Sequence, residues 1–233
     1  MDAAKDIIDR WENIRGRIVQ SARNCGRNPE EITLVAVSKT HPARSVRVLA
    51  QAGHLDFGEN YVQEALDKQE ELADLNMRWH FIGRLQSNKA KFLPGRFHLI
   101  HSLDRVKTAQ ALDHNCAKHS VVQAVLLQVN LAGEDQKGGI PEADLIPASR
   151  EIDALPGLDI QGLMCMPPFF DDQERARPFF RRLAQLRSQL ENELGHALPH
   201  LSMGMSGDYP AAVEEGATLL RIGTSIFGAR DLN

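Results

Sequence analysis

Cysteine is scarce in this 233-residue chain, and what there is cannot build a framework. Cys25, Cys116 and Cys165 are odd in number, far apart and without a CxxC spacing. They exclude a disulfide scaffold and read as reduced thiols of a cytosolic protein. Long hydrophobic runs are also missing, so no stretch is suited to span a bilayer. The opening Met1-Asp2-Ala3-Ala4-Lys5-Asp6 is charged and lacks the apolar centre of a signal peptide. Neither sign of charge dominates: 27 Lys and Arg stand against 31 Asp and Glu, a formal net of -4. With no basic run, that balance argues against nucleic acid as a partner. Several signatures are absent too: a Walker loop, GxGxxG after the first strand, a GxSxG elbow and HExxH. The nine histidines form no cluster with ligand spacing, and His98-x-x-His101 stands isolated on a strand, so no metal is expected. No linker, repeat or low-complexity tract divides the chain. With 42% hydrophobic residues it reads as one domain over residues 1–233.

What is present alternates. Ile7, Ile8, Trp11, Ile14 and Ile18 form one face of an amphipathic helix over residues 3–24, stopped by Gly26. Within residues 1–25 this helix is expected to pack on the body that follows. Apolar runs of strand length then occur at 32–38, 55–57, 79–82, 99–101, 123–129, 158–164, 200–203 and 219–222. Helical patterns fall between them at 43–52, 61–75, 87–92, 105–118, 142–154, 172–194 and 209–216. The strands are mostly apolar on successive residues, as a sheet covered on both faces requires. Eight strands alternating with helices predict an α/β protein, a single (β/α)8 TIM-type barrel with an extra N-terminal helix. An open doubly wound sheet is the alternative.

In such a barrel the site is built where the strands end. Those positions carry Lys39, Glu59-Asn60, Gly83-Arg84, Ser102, Asn130, Met164-Cys165-Met166, Ser206 and Arg221 to Thr224. Lys39 closes Leu34-Val35-Ala36-Val37-Ser38, where apolar walls favour the neutral, nucleophilic amine; a lysine snorkelling to water is the plainer reading. Arg221 in Leu219-Leu220-Arg221-Ile222 is a guanidinium inside a buried strand and must find a partner. Gly223 lets the backbone approach a phosphate, and Thr224 adds a hydroxyl donor, though Gly223 could simply turn the chain. Ser206 opens a helix and serves either the same phosphate or, like Asp208, as an N-cap. Asn60 is a site residue or a helix cap, and His80 a ring-stacking residue or a hydrogen-bonded core histidine. Cys165, between two methionines, reads as a small buried hydrophobe. An amine and a phosphate grip at neighbouring strand ends point to a cofactor that is both aldehyde and phosphate ester, pyridoxal 5'-phosphate. An arginine facing its pyridine nitrogen would keep that nitrogen unprotonated and make the ring a poorer electron sink.

The segments Val37-Ser38-Lys39-Thr40, Phe57-Gly58-Glu59-Asn60-Tyr61-Val62-Gln63-Glu64 and Trp79-His80-Phe81-Ile82-Gly83-Arg84-Leu85-Gln86-Ser87-Asn88-Lys89 resemble a known family. Leu201-Ser202-Met203-Gly204-Met205-Ser206 and Arg221-Ile222-Gly223-Thr224-Ser225-Ile226-Phe227-Gly228-Ala229-Arg230 match it late in the chain. The whole is similar to the pyridoxal-phosphate homeostasis proteins of YggS/PROSC type. The resemblance implies a barrel like the N-terminal domain of alanine racemase, with the cofactor on Lys39 as an internal aldimine. It further implies phosphate contacts from Ser206, Gly223 and Thr224, and Arg221 toward the pyridine nitrogen. Asn60 and His80 complete the expected cofactor set.

The resemblance also bears on activity. Alanine racemase-like enzymes carry a C-terminal β domain whose tyrosine acts as a second base at a partner's site. This sequence ends at Asn233, and its two tyrosines, Tyr61 and Tyr209, open predicted helices. Two-base racemization needs a group on each face of the carbanion, and Lys39 serves one. An open single-domain site also favours cofactor exchange over protected carbanion chemistry. The expectation is a cytoplasmic, monomeric cofactor-binding protein of PLP homeostasis, without catalytic residues of its own, with PLP-dependent apo-enzymes as candidate partners. A small amino-acid racemase using Lys39 as base is the alternative.

Overall fold

The computed structural model describes residues 3–134 and 137–229, so Arg230 of the last motif lies outside the described residues. Its strands are β1 (Thr33–Val37), β2 (Asp56–Glu59), β3 (Arg78–Phe81), β4 (Leu99–Leu103), β5 (Gln123–Asn130), β6 (Ile140–Pro141), β7 (Leu158–Cys165), β8 (His200–Ser202) and β9 (Leu219–Ile222). All pairings are parallel, in the order β4-β3-β2-β1-β9-β8-β7-β5. A further pairing of β4 with β5, Ile100 opposite Val125 and Leu103 opposite Leu127, closes the ring. That contact excludes the open sheet. The two-residue β6 only extends the end of β5.

Among the described residues eight α-helices accompany the strands: α1 (Ala3–Asn24), α2 (Ala43–Gln51), α3 (Val62–Glu71), α4 (Val106–His119), α5 (Leu145–Asp153), α6 (Arg177–Leu194), α7 (Tyr209–Glu214) and α8 (Thr224–Phe227). The crossover from β3 to β4 departs from the sequence expectation. Residues 87–92 form a 3-10 turn, Ala90–Phe92, in place of an α-helix. Pro94 has no N–H to extend the turn into an α-helix, and Gly95 turns the chain with φ +71.

Strand alternation divides the core into two layers. Outward residues such as Ala36, Phe57, Trp79, Phe81, Leu220 and Ile222 join the helices in one large cluster. Val35, Leu99, Leu126, Met164 and Leu219 form a separate small cluster that fills the barrel itself. Helix α1 packs on α2, α7 and α8. Its Ile7, Trp11, Ile14 and Ile18 are buried, each contributing about 1.5–3 kcal/mol by the usual transfer scale. Gly26, at φ +74, ends it in a Schellman turn, with Arg27 N–H on Ala22 O at 2.9 Å. Arg10 Nε donates to Ile226 O at 2.7 Å, tying α1 to the segment that follows β9.

Under α1, His54 is held in one neutral form. Trp11 Nε1–H can only donate, and it meets His54 Nδ1 at 3.3 Å. His54 Nε2–H therefore donates to Asp56 O at 2.8 Å. Burial pulls the ring down from 6.5 to about 4. The unfolded chain thus takes up a proton that the folded chain refuses, and stability is full above pH 6.5 and lost as pH falls toward 4. The expected loss from this residue is about 3 kcal/mol at most. Urea midpoints measured across that window should drop, and His54→Gln should flatten part of the slope. His101, His98 and His200, which burial also holds below the ordinary histidine value, contribute in the same direction.

Candidate functional site

The carboxyl ends of β1, β8 and β9 open onto a cavity of about 300 Å³. Lys39, Asn60, Ser206, Arg221, Gly223 and Thr224 all line it. Apolar side chains, among them Val37, Ile82, Met166 and Phe169, complete its wall.

Lys39 is presented by a strained turn. Thr40 has φ +65, a left-handed value that costs a β-branched residue about 1–3 kcal/mol. The turn is held from behind: Thr40 N–H donates to Glu64 Oε1 at 2.6 Å. The ammonium of Lys68 binds Glu64 Oε1 at 2.7 Å, Glu59 Oε1 at 2.6 Å and Ser38 O at 2.7 Å. Ser38 Oγ adds a 2.6 Å bond to Glu59. Glu59 therefore faces α3 and supports the lysine turn without lining the cavity. Its burial raises the carboxyl above the usual range, against the pull of Lys68 and Ser38.

Arg221 is 5% exposed and forms no carboxylate pair among the described residues. Its Nη1 donates to Ser202 Oγ at 2.5 Å and its Nη2 to Cys165 O at 2.9 Å. Burial lowers the guanidinium from its ordinary value. Cys165 contributes its carbonyl, while burial pushes its thiol up to about 12 and keeps it inert.

The two helix-cap readings fail. Helix α3 starts at Val62 with Tyr61 as N-cap, leaving Asn60 Oδ1 buried at the cavity without a hydrogen-bond partner. Gly83 explains how Asn60 sits so deep, because a Cβ there would lie 1.9 Å from the Asn60 carbonyl oxygen. At α7 the cap position, Asp208, makes no side-chain cap bond; its Oδ1 turns back to Met205 N–H at 2.6 Å. Ser102 hydrogen-bonds Gly83 O, and Asn130 Nδ2 reaches Glu134 O at 3.3 Å, so both serve local backbone.

His80 requires a correction. It is 1% exposed and is absent from the cavity wall, which on its strand is formed by Ile82. Two residues earlier means one layer deeper, about 6.6 Å at the usual rise per residue. Its ring is engaged by Asp56 and His101 and cannot stack on a ligand in the cavity. Asp56, His101 and Ser202 were not singled out from the sequence as site residues. The one available signal was a polar residue within, or in the case of His101 at the end of, an apolar run.

Together these features define a parallel (β/α)8 barrel with an amine, a buried cation and two hydroxyls gathered at one mouth. The family described as alanine racemase, N-terminal domain, matches residues 12–231. The pyridoxal phosphate homeostasis protein of Aquifex aeolicus is 45% identical over 225 residues, covering 97% of this chain and 99% of that protein. The protein of the same name from Escherichia coli K12 is 41% identical over 229 residues, 97% of each chain. The structure of PipY from Synechococcus elongatus with PLP bound is 36% identical, with a TM-score of 0.85, over 95% of this chain and 100% of PipY. The chain belongs to the alanine racemase N-terminal domain family and, within it, to the pyridoxal phosphate homeostasis proteins. An alanine racemase of Clostridium difficile shares the fold alone, at 12% identity and a TM-score of 0.70.

Proposed function

We propose that this protein binds pyridoxal 5'-phosphate reversibly in the barrel-mouth cavity and takes part in its intracellular homeostasis, without robust catalysis of its own. The observation that carries the reading is the convergence of Lys39, Arg221, Ser206 and Thr224 on one cavity of about 300 Å³. The residues fit the group. Among the described residues, Arg221 is a buried cation without a carboxylate partner, and Asn60 Oδ1 is a buried acceptor without a donor. When bound, the cofactor supplies an aldehyde that condenses reversibly with a primary amine. Lys39 would offer that amine, and Ser206, Gly223 and Thr224 would hold the phosphate. Arg221 would face the pyridine nitrogen, and Asn60 would contribute its amide to the cavity wall.

Racemization needs a proton carrier on each face of the substrate. Besides Lys39, the titratable groups on the wall are His41 and Asp208. His41 stacks on Phe227 with ring centroids 5.1 Å apart, and Asp208 is tied to Met205 N–H. Tyr61 and Tyr209 are off the wall. This supports a carrier or regulator over a racemase. We further read residues 1–233 as one domain, working as a monomer in the cytoplasm, with PLP-dependent apo-enzymes as recipients. The three cysteines are free thiols, two of them buried, and no helix of the described residues is long and apolar enough to cross a membrane.

A near-visible absorption spectrum before and after borohydride, followed by peptide mapping, tests the site. The expected result is a yellow band that reduces onto Lys39; a protein that stays colourless with added cofactor refutes it. Ser206→Ala and Thr224→Ala should each keep the band but weaken affinity. A charge-assisted hydrogen bond is worth about 1.5–3 kcal/mol, so the expected loss is roughly 10- to 100-fold in a spectral titration. Unchanged retention in both variants would remove the phosphate assignment.

A further inference from the structure

A chain of hydrogen bonds crosses the barrel interior from its amino-terminal end to the cavity. At the far end the half-exposed Arg78 clamps Asp56 through Nε and Nη2, at 2.8 and 2.6 Å. Asp56 Oδ1 lies 3.0 Å from His80 Nε2, and His80 Nδ1 lies 2.9 Å from His101 Nε2. His101 Nδ1 is 2.8 Å from Ser202 Oγ, which accepts Arg221 Nη1–H at 2.5 Å. From Asp56 to Arg221 every member is 6% exposed or less.

With His80 uncharged, the two ends dictate every proton between them. A carboxylate only accepts, so His80 carries its hydrogen on Nε2. A neutral His80 then accepts at Nδ1, and His101 donates from Nε2. That leaves His101 Nδ1 as acceptor for the single hydroxyl hydrogen of Ser202. The serine lone pairs are thereby turned to Arg221, which only donates. The titration directions agree. Burial keeps His101 neutral, and on Asp56 the hydrogen bonds from His80 and Arg78 outweigh burial and set the carboxyl at about 2. His98 and His200 also face the pair, and burial lowers both from the ordinary histidine value. While His80 is uncharged, no link can reverse without turning a buried donor onto a donor.

The binding roles use none of Asp56, His80, His101 or Ser202, although the same interior layer is elsewhere filled by Val35, Leu99 and Leu126. We propose that Asp56, His80, His101 and Ser202 are positioning residues that hold the Arg221 guanidinium in one orientation toward the cofactor's ring nitrogen. With one N–H each of Nη1 and Nη2 committed to Ser202 and Cys165 O, the remaining donors are left for the cavity. This rests on the cavity being the pyridoxal phosphate site. The ring nitrogen's surroundings are then governed from the opposite end of the barrel.

The experiment compares wild-type, His101→Leu and Asp56→Asn proteins loaded with pyridoxal phosphate, with Leu126→Ala as a control that thins the same interior without touching the chain. The readout is the pH midpoint at which the near-visible band titrates. Both chain variants should retain the borohydride-fixed adduct on Lys39 while shifting that midpoint by about one pH unit, and Leu126→Ala should leave it in place. Nitrogen-15 spectra of the cofactor-free protein should show His101 as the neutral Nε2–H tautomer. Where the histidine or aspartate variants do not fold, Ser202→Ala, which removes the link beside Arg221, carries the same test. An adduct with an unmoved midpoint, or an Nδ1–H tautomer at His101, overturns the proposal while leaving the site intact. A wild-type protein without any Lys39 adduct overturns both.

Discussion

Lys39→Ala protein supplied with pyridoxal phosphate is expected to show no near-visible imine band and no borohydride-fixed adduct, a complete loss of signal. The condensation forms a C=N bond between aldehyde carbon and amine nitrogen and releases water, and Lys39 is the one lysine on the cavity wall among the described residues. Other lysines are placed elsewhere: Lys68 is locked between Glu59, Glu64 and Ser38 O, and Lys137 donates to Pro167 O at 2.9 Å. The proposed phosphate donors Ser206 and Thr224 are untouched by the substitution, so residual, weaker cofactor binding should persist and be displaced by inorganic phosphate. Absorbance titration together with mass mapping checks both halves. An adduct that reappears on another lysine would show that proximity to the phosphate grip suffices, and that the presented turn at Thr40 is not required.

Lys68→Met should be strongly destabilising, by about 3–5 kcal/mol, because it strands a buried carboxylate. Glu59 is 0% exposed, and one of its oxygens, Oε2, already lacks a partner. The other is shared between the Lys68 ammonium and Ser38 Oγ. Methionine fills similar volume, so the loss is electrostatic more than steric. The double variant Glu59→Gln/Lys68→Met should recover most of it, since the uncompensated charge is gone. Urea midpoints of the two single variants and the double close the cycle. A Lys68→Met protein within about 1 kcal/mol of wild type would mean that the pair behaves like an ordinary surface ion pair. The pair also anchors Glu64, which holds the strained Thr40 turn, so its loss should loosen the presentation of Lys39 as well.

All eight barrel strands were legible in the sequence because a strand covered on both faces is apolar on most of its successive residues. The N-terminal helix was equally legible, since Ile7, Trp11, Ile14 and Ile18 repeat at helical spacing and are all buried. The crossover at 87–92 was not, because helical spacing over six residues does not register that Pro94 lacks the N–H to extend the turn or that Gly95 turns the chain away. Within the site, Lys39, Arg221, Ser206 and Thr224 stand at or beyond the strand ends, where the fold itself predicts a cavity. His80 misled because one-dimensional position does not report depth along the barrel axis.

By itself, then, the sequence determined the order of strands and helices and the chemical groups that end the strands, because both are written in local pattern. Closure of the ring through β4 and β5, and the line of Asp56, His80, His101 and Ser202 beneath Arg221, were decided only by the tertiary structure. Both join residues far apart in sequence, up to 101 positions in the case of His101 and Ser202. Such pairings depend on register and on which side chains share a layer, and neither leaves a trace in periodicity.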